Sequence, residues 1–301
     1  MSWLAQLQTS PKAASIGIVI GGALWGLFWL PIRAFEDLGF TGAWPGLILY
    51  ISAFALLLPL VLIQRHPVSQ LGNLALVGLL TGTAFSFYGT SIILTDVVRA
   101  LLFFYLTPIW GTAIGVLFLG ERLTAARIIA IVLALTGLLA VIGFGSRSAI
   151  NLGDVLALAS GICWTIGTYK IYQLEKTPPL HLSFAFVTGA VLVTVVTILI
   201  GGARLGGTAE IPDLSALWPL LILTGLFALP MIYLTIWPAK VLTPGRIGIL
   251  LMSEVLVGFG SVALLAGDPF GWVEVLGAVL IVSATLVELL GNAGTPERAS
   301  S

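Results

Sequence analysis

The sequence predicts an all-α integral membrane protein with ten transmembrane helices, arranged as two inverted five-helix repeats. Three observations support this fold class: the composition, a series of long apolar runs and an internal repeat. Of the 301 residues, 58% are hydrophobic and only 9% are charged. A soluble chain of this length needs far more charged residues to cover its surface. The chain is therefore expected to lie in a lipid bilayer.

The apolar runs fill the chain almost from end to end. A helix that spans a bilayer needs about 20 mostly apolar residues. Unbroken runs also exclude a membrane β-barrel, whose strands alternate apolar and polar residues. The predicted helices cover 14–34, 43–64, 72–94, 97–119, 125–144, 152–172, 181–201, 216–237, 244–266 and 270–290. Almost nothing remains for a soluble domain, so any function is expected inside the membrane.

Composition excludes several classes of function. The formal net charge is zero and no basic block is present, so nucleic acid is not an expected partner. The single cysteine, Cys163, provides neither a disulfide framework nor a metal cluster, and the two histidines, His66 and His181, stand alone. No glycine-rich phosphate-binding motif is present. No metal or cofactor is therefore expected.

The loops differ in positive charge, which predicts the orientation. One side of the membrane is predicted to hold both termini and the loops that follow the second, fourth, sixth and eighth helices. That side receives nine basic residues, and the other side receives four. Positive residues mark the cytoplasmic side of short loops. Both termini are therefore expected in the cytoplasm. The nine are Lys12, Arg65, Arg122, Arg127, Lys170, Lys176, Lys240, Arg246 and Arg298; the four are Arg33, Arg99, Arg147 and Arg204.

The chain also aligns with itself at an offset of 147 positions, which predicts a repeat at 1–147 and a second at 148–301. An odd number of helices in each half makes the second half enter the membrane from the opposite side. Inverted repeats of this kind are typical of secondary transporters, whose substrate site lies between the halves near the midplane. The matched pairs include Gly78 with Gly225, Arg99 with Arg246, Gly111 with Gly258, and Gly120-Glu121 with Gly267-Asp268.

Short motifs in the first half resemble the EamA domain. They are Leu106-Thr107-Pro108, then Leu119-Gly120-Glu121-Arg122-Leu123, then Gly137-Leu138-Leu139. Two such domains form the ten-helix members of the drug/metabolite transporter superfamily. A second copy departs from the pattern, since Glu254-Val255 replaces Thr107-Pro108 and Gly267-Asp268 replaces Gly-Glu.

The run from Arg246 to Val255 is similar to the YddG-type branch of that superfamily, whose members export aromatic amino acids and related compounds. The resemblance implies metabolite efflux across the bacterial inner membrane, with a small-molecule substrate and no enzymatic activity. Since both repeats lie in one chain, a monomer is expected to form the complete pathway.

Glu254 is interpreted as the one acid deep in an apolar span, about ten residues into its helix at 1.5 Å per residue. An ionised carboxylate at that depth costs several kcal/mol unless it is hydrated or paired. Two interpretations remain open. Glu254 either serves transport, by contacting a substrate ammonium group or carrying a proton, or it hydrogen-bonds a neighbouring helix as a neutral acid.

Aromatic residues far from helix ends predict a cavity wall. The candidates are Trp25, Tyr88, Tyr105, Trp164 and Tyr233, together with Glu254. An aromatic-walled cavity suits flat apolar or cationic solutes, although packing between helices is the alternative. The span at 72–94 adds uncharged polar groups that are expected to face a cavity or another helix: Thr81, Thr83, Ser86, Tyr88, Thr90 and Ser91.

The predicted function is therefore export of small metabolites, aromatic or other apolar amino acids, by alternating access. A proton-coupled exporter of drugs or amines is the alternative. An enzyme acting on lipid needs several titratable residues within the spans, and only Glu254 fits that description in the sequence.

Overall fold

The computed structural model describes residues 9–64, 71–95, 100, 103–142, 150–174, 176–207, 214–265 and 272–291. No β-strand occurs in these ranges, which confirms the all-α class for this part of the chain. The helices are α1 (Pro11–Gly26), α2 (Trp29–Glu36), α3 (Trp44–Gln64), α4 (Leu71–Leu94), α5 (Thr107–Phe118), α6 (Ala125–Ile142), α7 (Leu152–Gln173), α8 (Pro179–Ile200), α9 (Gly202–Gly206), α10 (Leu214–Ile236), α11 (Pro244–Leu250), α12 (Ser253–Leu265) and α13 (Trp272–Gly291).

Within the described ranges, six helical segments are long and apolar enough to cross a bilayer. They are Pro11–Glu36, Trp44–Gln64, Leu71–Leu94, Leu152–Gln173, Pro179–Ile200 and Leu217–Lys240. Three shorter apolar helices, Thr107–Phe118, Ala125–Ala140 and Val275–Glu288, fall at further predicted spans. The count of ten crossings stays a prediction. Both chain ends, the repeat boundary at 147 and the Gly267-Asp268 motif lie outside the described residues.

Three predicted helices prove to be interrupted rather than continuous. The segment expected at 14–34 breaks between α1 and α2 at Leu27 and Phe28. Pro31 explains this break, because proline lacks the N–H that would bond to the Leu27 carbonyl and its ring clashes there. The segment expected at 244–266 breaks between α11 and α12 at Leu251 and Met252.

The predicted span at 97–119 also has a break within its described part. Tyr105 and Leu106 form a turn just before α5, which has Pro108 in its first turn. The break between α11 and α12 has no such proline. There, the Glu254 N–H donates to the Leu251 carbonyl at 3.0 Å, a tighter i to i+3 bond than the α-helical pattern.

Close glycine contacts hold α4 at the centre of the bundle. α4 packs along both α7 and α8. Gly82 of α4 and Gly189 of α8 let the two backbones touch, because a Cβ atom at either position would overlap the opposite main chain. On the other side of the molecule, α10 packs along α1 and α3, and α6 packs along α13.

The outer faces of the helices expose large apolar side chains. Leu62, Ile63, Leu117, Leu199 and Ile200 are all between 65% and 80% exposed. Soluble monomers rarely display contiguous apolar surface of this kind. These exposed side chains are favourable in a bilayer, because they contact the apolar hydrocarbon tails of the lipids.

Candidate functional site

Phe85 of α4 is the centre of a buried aromatic cluster. The Trp25 ring stacks on it with centroids 4.2 Å apart, and the Trp164 ring meets it edge-on at 5.2 Å. Phe186 of α8 approaches edge-on at 5.1 Å, and Phe104 lies 6.5 Å away. The cluster therefore joins α1, α4, α7 and α8 at one depth in the bundle.

Hydrogen bonds fix the tryptophans of the first helix pair. Trp25 Nε1 donates to Thr235 Oγ1 of α10 at 3.0 Å, and Trp29 Nε1 donates to Ser261 Oγ of α12 at 2.9 Å. Each ring is thus held by a polar contact at its edge and presents its face to other groups. For Trp25, that face meets Phe85.

A cavity of about 140 Å³ adjoins the cluster. Its wall includes Trp25, Tyr50, Phe85 and Tyr88, and its mouth includes Glu36 at the end of α2. The remaining lining residues are Phe28, Ile32, Gly42, Ala43, Pro45, Gly46, Ser86, Gly89, Thr90, Ile92, Ile93 and Thr194. The cavity is thus apolar and aromatic, with a few hydroxyl groups and one acid.

The two helix breaks near the centre meet through a single hydrogen bond. Tyr105, in the turn before α5, donates its hydroxyl to Glu254 Oε2 at 2.5 Å. Glu254 is the second residue of α12, directly after the break from α11, and it is 9% exposed. Among the described residues, no lysine or arginine forms an ion pair with it.

The six predicted site residues fall into three groups. Trp25 and Tyr88 line the cavity. Tyr105, Trp164 and Glu254 are buried outside its lining, with Tyr105 linked to Tyr88 through the ring of Phe104. Tyr233 is half-buried and stacks on Trp237 of its own segment at 6.3 Å, apart from the aromatic cluster.

The sequence reasoning missed Phe85. It is one of 15 phenylalanines and no local motif distinguishes it. Phe85 does lie on the helix that carries the uncharged polar residues, but that position does not distinguish it from other apolar residues of the helix.

Glu254 is not alone among the described residues as a buried acid, since Asp154 and Glu288 are buried near the ends of α7 and α13. Glu288 of α13 is fully buried, and its Oε1 accepts a bond from Arg127 Nη2 at 3.0 Å. Arg127 Nη1 also pairs with Glu121 at 2.6 Å. The left-handed turn at Gly120, with φ of 67°, folds Glu121 back toward Arg127. The motif at 119–123 therefore contributes to a buried ion-pair triad, beyond the turn that its sequence indicates.

No group of three or more His, Cys, Asp or Glu side chains that would suit a metal ion occurs among the described residues. Cys163 is a free, half-buried thiol.

Comparisons with known proteins agree with this architecture. Residues 12–143 match the EamA-like transporter family. The chain is 25% identical over 190 residues to a protein of Salmonella typhimurium named "Probable amino-acid metabolite efflux pump". That alignment covers 60% of this chain and 62% of the relative, so the chain spans less than two thirds of the length of the curated relative that it matches.

A crystal structure with 18% sequence identity superposes with a TM-score of 0.70, covering 93% of this chain and 99% of that one. At this level of identity the likeness shows the fold alone. The family match agrees with the motifs at 106–108, 119–123 and 137–139, which all lie inside the matched range. Residues 12–143 therefore resemble an EamA-like transporter domain, and the chain that carries them is a multi-pass membrane protein.

Proposed function

We propose that this protein exports small metabolites, aromatic or other apolar amino acids, across the bacterial inner membrane by alternating access. The observation that carries the proposal is the cavity walled by Trp25, Tyr50, Phe85 and Tyr88. Aromatic faces bind flat apolar solutes, and a cavity of this composition is typical of small-molecule sites. The name of the Salmonella relative supports the same substrate class.

The packing supports two inverted repeats at 1–147 and 148–301. In chain order within each half, α1, α3 and α4 of the first half correspond to α7, α8 and α10 of the second. The contacts of α4 with α7 and α8 then correspond to those of α10 with α1 and α3. The offset of 147 positions brings Tyr105 onto Met252, so the turn before α5 and the break between α11 and α12 coincide to within one residue.

Helix breaks at the bundle centre support a transport mechanism. Non-helical backbone at membrane depth is tolerated where it is buried in protein or lines a cavity, and transporters use such breaks near their substrate sites. Here, one break from each half meets its mate through Tyr105 and Glu254. In the proposed cycle, this contact changes when the halves move between outward-facing and inward-facing states.

The alternative is a proton-coupled exporter of drugs or amines. Glu254 favours it, because the carboxyl group has a hydrogen-bond donor but no paired cation among the described residues. A carboxyl group of this kind can bind and release a proton during the cycle. An enzymatic function is not proposed, since the matched family is one of transporters.

Counterflow of labelled tryptophan into proteoliposomes that contain the purified protein tests the proposal. Saturable uptake that unlabelled tryptophan or phenylalanine suppresses is the expected result, from a protein that is monomeric in the membrane. Uptake no faster than in protein-free liposomes, with every apolar amino acid tried, contradicts it. Repeating the assay with amines in place of amino acids, with and without a pH gradient, tests the proton-coupled alternative.

Reporter fusions test the proposed topology, in which both termini are cytoplasmic. Fusions after Arg147 and after Arg298 should report opposite sides of the membrane. Signals from the same side would show that each half does not contain an odd number of crossings, and would therefore contradict the inverted symmetry.

A further inference from the structure

Two hydroxyl groups in the cavity wall have no hydrogen-bond partner. Ser86 of α4 and Thr194 of α8 both line the cavity, and each is 4% exposed. Neither Oγ of Ser86 nor Oγ1 of Thr194 reaches a donor or acceptor in the described chain. A buried polar group left unpaired is unfavourable. A solute in the cavity that bonds to these oxygens removes that cost.

Neighbouring hydroxyl groups on the same helices show the contrast. Thr90 and Ser91 of α4 bond to the carbonyls of Ser86 and Tyr88, at 2.8 and 2.7 Å. Thr197 of α8 bonds to the Val193 carbonyl at 2.9 Å. These hydroxyl groups donate to backbone carbonyls of their own helix, which is the usual arrangement for serine and threonine in a membrane span. Ser86 and Thr194 remain available to a solute.

The described lining of the cavity carries one charged residue, Glu36, which is exposed at the mouth. The described lining contains no lysine, arginine or histidine. An acidic mouth attracts cations and raises their local concentration. An anion that enters this apolar space finds no fixed countercharge among these residues, which is unfavourable in the membrane interior.

We propose that the cavity accepts aromatic solutes that carry an ammonium group, and that it rejects aromatic acids that lack one. The ring lies against Trp25 and Phe85, the ammonium group faces Glu36, and other polar atoms of the solute bond to Ser86 and Thr194. This inference rests on the proposed export function and narrows its substrate class to aromatic amines and zwitterionic aromatic amino acids. Since Ser86 and Thr194 belong to different predicted repeats, such a solute touches both halves.

Three indole compounds test the charge requirement with a constant ring. Tryptophan carries both charged groups, tryptamine carries only the ammonium group, and indole-3-propionate carries only the carboxylate. In counterflow with the full-length protein in liposomes, tryptophan and tryptamine should compete with labelled tryptophan. Indole-3-propionate should compete at least about tenfold more weakly, the lower end of the effect expected from electrostatic focusing.

Variants with matched controls test the named residues. Glu36→Gln should lower tryptamine uptake by about tenfold at low salt, with a smaller loss at high salt because ions screen an exposed charge. Asp37→Asn, at the next residue and outside the lining, is its control. Ser86→Ala and Thr194→Val should each weaken tryptophan uptake by roughly tenfold, the loss expected from one hydrogen bond to a charged group. Ser91→Ala and Thr197→Val, whose hydroxyl groups already bond to their own helices, should leave uptake unchanged.

The possible failures are distinguishable. If no indole compound shows saturable flux or competition, the proposed export function itself is wrong. If tryptophan is transported but indole-3-propionate competes equally well, or if Glu36→Gln behaves as Asp37→Asn does, the export function survives and this inference is overturned.

Discussion

Two buried glutamates of this protein have opposite surroundings. Glu288 contacts the guanidinium group of Arg127, which also pairs with Glu121. Glu254 accepts a hydrogen bond from Tyr105 and has no cation paired with it among the described residues. The first carboxylate belongs to an ion-pair triad between α6 and α13, whereas the second lies where two interrupted helices meet.

The difference gives the two acids different candidate roles. A buried carboxylate that is paired with arginine is held in one protonation state and one position, which suits a brace between helices. A buried carboxyl group that has only a phenol for a partner can change its protonation or its partner at lower cost. Glu254 is therefore the better candidate for a step in transport, and Glu288 for stability.

Removing the shared cation should have the largest effect. Arg127→Met leaves the buried Glu288 and the partly buried Glu121 without their countercharge, and breaking a buried ion pair in this way typically costs about 3–5 kcal/mol. Thermal unfolding in detergent should show a large fall in melting temperature. Arg122→Met, at an exposed neighbouring arginine, is the control and should change little.

Combining Arg127→Met with Glu121→Gln and Glu288→Gln should restore most of the lost stability, because no uncompensated charge remains. If Arg127→Met alone unfolds at the wild-type temperature, the triad does not stabilise the contact between α6 and α13, and Glu288 does not have the structural role inferred from its pairing.

Glu254→Gln should impair transport while expression and thermal stability stay near normal. Glutamine keeps the size of the side chain, and its carbonyl oxygen still accepts the Tyr105 hydrogen bond, but it cannot ionise or carry a proton. Tryptophan counterflow and uptake driven by a pH gradient are the measurements. Loss only in the gradient assay indicates proton coupling, and loss in both indicates substrate contact.

Full activity of Glu254→Gln in both assays would show that this acid, like Glu288, serves packing alone.

Tyr105→Phe should have a smaller effect on stability. It removes one buried hydrogen bond and preserves the ring against Phe104, at a cost of about 1–2 kcal/mol. Unfolding in detergent measures the change, with Tyr50→Phe, at a tyrosine of the cavity wall, as the control. Equal shifts in the two variants would argue against a specific role for the bond to Glu254.

Thiol labelling distinguishes cavity-facing rings from packed ones. In a background with Cys163 replaced, Tyr88→Cys and Trp25→Cys should react with a small water-soluble thiol reagent. Trp164→Cys should react more slowly, because Trp164 is 1% exposed and outside the cavity lining. Uniform protection at all three positions would mean that the rings pack and do not line a site.

Local sequence was enough to predict an all-α membrane protein, although not the count of ten helices or the inverted repeats. Apolar runs such as 43–64 and 152–172 became helices at Trp44–Gln64 and Leu152–Gln173, because bilayer thickness and backbone hydrogen bonding leave a membrane chain few other choices. Trp25, Tyr105 and Trp164 were also identifiable as candidates, since aromatic residues far from helix ends are unusual in a membrane helix.

Tertiary structure decided what the sequence left open. The Tyr105 bond to Glu254, the contacts of Phe85 and the pairing of Arg127 with Glu288 join residues that are far apart in the chain. Helical periodicity fixes only which residues share a face within about one turn of each other. Whether a buried acid meets an arginine or a tyrosine depends on which helices become neighbours, and helix packing settles that choice through many small contacts that no single motif encodes.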